Sequence, residues 1–329
     1  MAGRVNGVRD GKQRFVVDCD GGVDDAQAIL MILARSDVDL VAITTVYGNA
    51  SVGQVGRNVR RLLRVADRTD IPVYAGSHAP LVGLPHTNYF YHGSDGFGDV
   101  PEMDDKYSDE DSVSDTADIE GAVPALLRLV TARPGEITLV CLGPLTNVAL
   151  ALKLDPNFGR KLRKCVIMGG NYKGRGNVVI SSEFNFHVDP ESAFIILNEL
   201  SCPTVLVCWE LVLKHGLEIS EYENLRGDAA GGRKADFMKR IESLVVAKKQ
   251  NAHAKYLPCD EIAAAVALDA SIVKRSATVY ATVELAGVCT RGQMVVDWTQ
   301  TLGKQANATI VIEIHKDPYM NLLKMATCN

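Results

Sequence analysis

Phe15-Val16-Val17-Asp18-Cys19-Asp20-Gly21-Gly22-Val23-Asp24-Asp25 passes from an apolar run through an acidic turn into a helical pattern. Phe15-Val16-Val17 has no polar alternation, so it reads as a strand buried on both faces. The helix that follows is expected from Asp24 to Ala34. The same unit then repeats along the chain. Strands are expected at Leu40 to Val46, Pro72 to Tyr74, Ile137 to Cys141, Cys165 to Met168 and Val205 to Cys208. Between them lie helical patterns at Val52 to Val65, Glu120 to Thr131, Asn147 to Leu154 and Pro190 to Leu200. This alternation predicts an α/β fold: an open, mainly parallel sheet with helices on both faces. Lys234 to His253 reads as one long helix and Glu261 to Leu268 as a shorter one. Alternating runs near Thr278 to Leu285 and Ala308 to Ile314 predict a small antiparallel element near the C-terminus, with Gly303 to Asn307 as a turn.

Composition narrows the function classes. The 329 residues are 47% hydrophobic and 23% charged, enough apolar material for one large domain over 1–329, with no Pro- or Ser-rich linker. The net charge of -5 gives no electrostatic reason to bind nucleic acid or an anionic membrane. Arg57, Arg60, Arg61 and Arg64 recur at helical spacing and read as a solvated face. Met1 to Lys12 lacks the apolar core of a signal peptide, and no apolar run could span a bilayer. The eight cysteines are scattered without a C-x-x-C pair, which fits a reduced, cytoplasmic chain. Asp99 to Asp118 carries nine acidic residues and one lysine, and reads as a mobile acidic loop or insertion.

The acidic turn carries the chemistry. Asp18, Asp20, Asp24 and Asp25 fall within eight residues, between a strand and a helix. A helix cap needs one carboxylate, and crowding four in a partly buried turn is costly. A hard cation removes that cost, because calcium and magnesium prefer oxygen ligands. Two enzyme classes are compatible with this octet: phosphoryl transfer with magnesium and Asp18 as nucleophile, or glycosidic hydrolysis with calcium. Ligands in such sheets sit beyond the carboxyl ends of the strands. There the chain places Val46-Tyr47-Gly48-Asn49, Leu142-Gly143-Pro144-Leu145-Thr146-Asn147 and Met168-Gly169-Gly170-Asn171. Asn177 and Glu183-Phe184-Asn185 follow. The aromatic between Glu183 and Asn185 predicts an extended segment with both polar side chains on one face. Asn and Glu suit hydroxyl groups, so the pattern favours a sugar pocket.

Taken in order, the octet, Gly48-Asn49, Leu145-Thr146-Asn147, Met168-Gly169-Gly170, Glu183-Phe184-Asn185 and Asp189-Pro190-Glu191 resemble the inosine-uridine-preferring nucleoside hydrolase family. The resemblance runs from about Phe15 to the C-terminal helix. It implies hydrolysis of the N-glycosidic bond of ribonucleosides to free base and ribose. It further implies a calcium-bound water as nucleophile and Asp20 as general base. The implied calcium ligands are Asp20, Asp25, Asp260 and the carbonyl of Leu142. Asp24, Asn49, Asn177, Glu183 and Asn185 would hold the ribose hydroxyls, Met168 would lie against the sugar, and Asp18 would orient its neighbours. His92, in a Gly-rich segment, is similar to the family's mobile loop near the base. A homodimer or homotetramer is implied as well.

One position departs from the pattern. The family's inosine-uridine type has histidine before the last aspartate ligand, and a purine-specific type has tryptophan; Cys259 stands here. Cys259 either lines the base pocket as a weak donor or fills space while the leaving base is activated elsewhere. Tyr89, Tyr91, Tyr256 and His253 are further candidates for base contact. Two other readings stay open. A haloacid-dehalogenase-like magnesium phosphatase would use Asp18, although Gly22 stands where that group has a small hydroxylic residue. A non-catalytic ribonucleoside-binding protein would keep the calcium site without turnover.

Overall fold

A computed structural model describes residues 11–85, 90–100, 120–227 and 232–326. Its main sheet contains β1 (Gln13–Cys19), β2 (Val38–Thr45), β3 (Val73–Ala75), β4 (Ile137–Cys141), β5 (Lys164–Met168), β6 (Thr204–Val207), β7 (Val273–Val279) and β10 (Ala308–Ile314). The order across it is β3-β2-β1-β4-β5-β6-β10-β7. All neighbours pair in parallel except β7, which is antiparallel to β10 at the edge. The expected mainly parallel sheet with helices on both faces is therefore present.

Side chains alternate across the sheet because the strand period is two. Phe15, Val17 and Cys19 face the helices Val23–Leu33 and Asp260–Leu268, with Ile29 and Ile262 among the buried residues there. Val16, Leu139 and Cys141 face the helices Ala122–Ala132, Thr146–Leu154 and Pro190–Glu199 on the other side. Register brings the strand ends level. Cys19 lies opposite Thr45, Asp18 opposite Cys141, and Cys141 opposite Ile167. The strand order reverses between β1 and β4, which opens a crevice at their carboxyl ends.

The last third departs from expectation in two places. The run Thr278 to Leu285 is split between sheets: β7 ends at Val279, and β8 (Ala281–Val283) pairs antiparallel with β9 (Met294–Val296) in a separate two-stranded sheet. The alternation carries on through Tyr280, so periodicity alone does not reveal the change of partner. Lys234 to His253 forms two helices, Arg233–Ile241 and Ser243–Asn251, separated by Glu242. There the Tyr222 hydroxyl donates to the buried Glu242 carboxylate at 2.9 Å, and Gly98 packs against the Ile241 carbonyl. The arginine face is also only partly solvated. Arg57 is exposed, but Arg61 stacks 5.3 Å over the Phe237 ring of the adjoining helix.

The described cysteines are all free. Among the described residues, no helix is long and apolar enough to cross a membrane. The acidic stretch, apart from Asp99 and Val100, and residues 1–10 lie outside the described residues.

Candidate active site

The turn after β1 enters the crevice through two glycines. Gly21 adopts φ +72°, and a Cβ there would lie 2.9 Å from Val55. Gly48, after β2, packs so closely that a Cβ would collide with the Asp20 carboxylate. The backbone can thus approach the acids only where the side chain is hydrogen.

Around these turns lies a cavity of about 510 Å³. Asp24, Asn49, His92, Leu142, Met168, Asn177, Glu183, Asn185, Cys259 and Asp260 all line it. These residues come from widely separated stretches of chain and are gathered at one mouth of the sheet. Asp20 and Asp25 lie just beneath. Asp25 accepts from Gly22 N at 2.7 Å, and Asp20 accepts from Asn49 N at 2.8 Å and from Asn49 Nδ2 at 3.0 Å.

The acids form an uncompensated group. Asp24, Asp25 and Asp260 bring carboxylate oxygens within 4.8 Å of one another. Asp20 stands beside that trio and hydrogen-bonds the Asp25 carboxyl. Two buried carboxylates can lie so close only by sharing a proton or a cation. Burial, followed by repulsion from the neighbouring acids, pushes Asp25 and Asp260 well above the carboxylate range. Burial raises Asp20 to about 6. The charges weighing most on Asp260 are all carboxylates. The Leu142 carbonyl faces the same cavity and accepts from Asn185 Nδ2 at 2.8 Å. A donor set made wholly of oxygens suits a hard divalent cation. Relative to the ligand set implied by sequence, Asp24 joins the acid trio while Asp20 is turned toward Asn49.

The residues expected to hold the sugar are positioned by a local structure that alternation did not anticipate. Phe184–Val188 is a short helix, and Glu183 is its N-cap in extended conformation. The Glu183 carboxylate accepts from Gly170 N at 2.9 Å, Asn185 N at 3.0 Å and Phe186 N at 3.3 Å. Glutamate is an unusual cap, so the helix start carries no ordinary signal. Burial raises Glu183 to about 7 despite these donors. Asn185 Oδ1 is buried with no hydrogen-bond partner among the described residues, which leaves an acceptor free inside the cavity.

Other residues take different places. Asp18 is fully buried and does not line the cavity. Thr44 Oγ1 donates to it at 2.5 Å and Asn147 Nδ2 at 2.8 Å. That inaccessibility rules out Asp18 as a nucleophile. Asp189 caps the helix Pro190–Glu199 and accepts from Thr146 Oγ1 at 2.5 Å, so its motif is structural. His92 Nδ1 accepts from Val23 N at 3.3 Å, and Nε2 lies 3.3 Å from Asp24. Burial lowers its pKa, so the ring is neutral and Nε2–H faces the acid. Tyr91 lines the cavity; Tyr256 is stacked on Tyr222 and donates to Glu261 at 2.6 Å, and His253 is exposed. Neither Tyr256 nor His253 reaches the cavity, and Tyr89 lies outside the described residues.

Phe90, Val178, Phe184, Trp209, Lys249 and Leu257 complete the wall; of these only Phe184 figured in the sequence reading, as the aromatic of the Glu183-Phe184-Asn185 motif. Trp209 lies two residues beyond the end of β6, so the strand-end rule could have found it. Lys249 sits in a run of lysines on a helix and carries no such signal.

Comparison with known proteins agrees with this geometry. The profile described as inosine-uridine preferring nucleoside hydrolase matches residues 15–321. The inosine-uridine preferring nucleoside hydrolase of Leishmania major is 31% identical over 315 residues, 94% of this chain and 96% of that protein. A probable uridine nucleosidase 2 of Oryza sativa subsp. japonica is 38% identical over 188 residues. That match covers 57% of this chain and only 54% of the rice protein. Among solved structures, an inosine-guanosine nucleoside hydrolase superposes with a TM-score of 0.82 at 30% identity, covering 96% of this chain and 98% of the other.

Proposed function

This chain belongs to the inosine-uridine preferring nucleoside hydrolase family, and from that membership we infer that it hydrolyses the N-glycosidic bond of ribonucleosides to ribose and free base, with calcium as cofactor. The haloacid-dehalogenase-like phosphatase reading is thereby displaced. The observation that carries the proposal is the pairing, within one cavity, of uncompensated carboxylates with a buried acceptor that has no partner, Asn185 Oδ1.

Asp20, Asp24, Asp25 and Asp260, with the Leu142 carbonyl, are the residues that would hold the calcium. When bound, the ion supplies positive charge that lets these acids ionise together and lowers the pKa of water beside it. Asp20, held by the Asn49 backbone and side-chain N–H groups and ionised once the acids share a cation, is our candidate general base for taking a proton from water. Asn49, Asn177, Glu183 and Asn185 offer donors and acceptors to the ribose hydroxyls, with Met168 as an apolar surface beneath the ring. Fixing the sugar this way directs binding energy to the anomeric carbon, where charge develops as the base departs. Phe90, Tyr91, Phe184 and Trp209 make an aromatic compartment suited to a planar base. We place the enzyme in the cytoplasm as a homodimer or homotetramer, on the family resemblance and the free cysteines.

The test is incubation with inosine, adenosine, guanosine, uridine and cytidine in phosphate-free buffer, with chromatographic detection of base and ribose. We expect release with calcium and none after chelation. Tight nucleoside binding without product would instead identify a non-catalytic binder.

A further inference from the structure

The groups assigned so far serve the sugar and the attacking water, and leave the departing base without a stabilising partner. Cys259 does not fill that role. Its thiol hydrogen is directed at the Leu257 carbonyl, with Sγ to O at 3.5 Å. His92 is also engaged, with Val23 N and Asp24.

Lys249, on the helix Ser243–Asn251, lines the cavity beside Tyr91, Leu257 and Cys259. It is the one lysine or arginine among the described lining residues. Its Nζ lies 5.3 Å from the Tyr91 ring centroid. Among the described residues no carboxylate forms an ion pair with it. Adjacent Lys248 is used differently: its Nζ donates to Phe90 O at 2.7 Å and Tyr91 O at 3.0 Å, clamping the aromatic wall to this helix. Of the two neighbours, one is a structural clamp and the other keeps its donors free at the cavity wall. Partial burial makes that free charge costly to hold, and burial accordingly lowers its pKa. An ammonium in this position is electrostatically prepared for negative charge that appears only during reaction.

Resting on the hydrolase reading above, we propose that Lys249 is a catalytic residue acting on the leaving group: its ammonium hydrogen-bonds the departing base and stabilises the charge that gathers there. The C1′–N bond breaks with its electron pair passing to the base nitrogen. Water forms the new C1′–O bond and yields its proton to a carboxylate. The base takes up one proton from solvent on release, and the carboxylate returns one, so protons balance over the cycle. Lys249 itself ends in the protonation state in which it began.

The test compares Lys249→Met with wild type, both calcium-loaded, on inosine and uridine and on 4-nitrophenyl β-ribofuranoside. The aryl riboside releases an anion that is stable without help. We expect kcat on the nucleosides to fall about 10²-fold, the usual cost of losing one preorganised donor. The fall on the aryl riboside should be no more than about threefold, and Lys249→Arg should recover part of the nucleoside rate. Equal losses on both substrates would mark a purely structural role and overturn the inference. So would nucleoside kcat within about threefold of wild type. Should Lys249→Met lower the melting temperature, Lys249→Gln is read in its place against the same two substrates. A wild type inactive on every riboside would bring down the hydrolase reading, and this inference with it.

Discussion

Cys259 shows how a single side chain divides from its neighbours by what it can donate. Its thiol points at a backbone carbonyl and stays neutral, so it contributes shape and polarisability to the base compartment. We therefore expect Cys259→Ala to lower kcat less than about tenfold while reordering KM among the five nucleosides. Steady-state kinetics on each base would check this, and a larger loss confined to kcat would restore the donor role. Asp18 is the opposite case. It sits in the acidic octet yet is sealed off by Thr44 and Asn147, and burial pushes it to about 7. The octet shows four carboxylates in the sequence; which of them face a ligand is settled by the alternation of side chains along β1 and the turn beyond it.

At the scale of elements, the site depends on strand ends being held level. Asn147, in the first turn of the helix Thr146–Leu154, binds three of them at once. Its Nδ2 donates to Asp18 and to the Thr45 carbonyl at 2.9 Å, and its Oδ1 accepts from Ser77 N at 2.9 Å. Asn147→Ala would leave those buried groups unsatisfied, so we expect a loss of about 2–4 kcal/mol in urea-induced unfolding. Calcium affinity should weaken as well, because Asp18 lies at the end of β1, two residues before Asp20. A loss under about 0.5 kcal/mol would mean that water replaces the amide. The elements themselves were largely legible: the strands and helices up to β6 fall within one or two residues of expectation. The short helix Phe184–Val188 was not, since its cap is a glutamate whose partners include Gly170, distant in sequence. The break at Glu242 was not, since it depends on Tyr222 and Gly98 packing against it.

For the molecule as a whole, we expect the acid group to make stability depend on metal and pH together. Asp18 and Glu183 sit at about 7 and Asp20 at about 6, all above ordinary carboxylate values. Between the ordinary and the raised values, the folded state holds protons that the unfolded chain has released. Their contribution to metal-free stability therefore falls as pH rises from about 4 to about 7. A bound dication reverses this, since it binds the ionised acids. We expect the difference between the melting temperatures in calcium and in chelator to grow from about pH 5 to about pH 8. At a calcium concentration a hundredfold above Kd it should correspond to about 2.7 kcal/mol. A difference independent of pH, by differential scanning fluorimetry, would place the cation elsewhere.

By itself the sequence determined the layered α/β architecture, the end of the sheet that carries the site, and most of the polar residues that line it. The architecture and the end of the sheet follow from local rules: apolar runs bury themselves, periodicity separates strand from helix, and parallel strands must all end on the same side; the lining residues were implied by the order of motifs that resembles the nucleoside hydrolase family. Only the tertiary structure decided which acids stand together, that Asp18 is sealed away, and that Lys249 faces the cavity unpaired while Lys248 clamps its wall. Those are facts of distance between residues remote in the chain. Burial and charge repulsion act through space, so no local pattern records them.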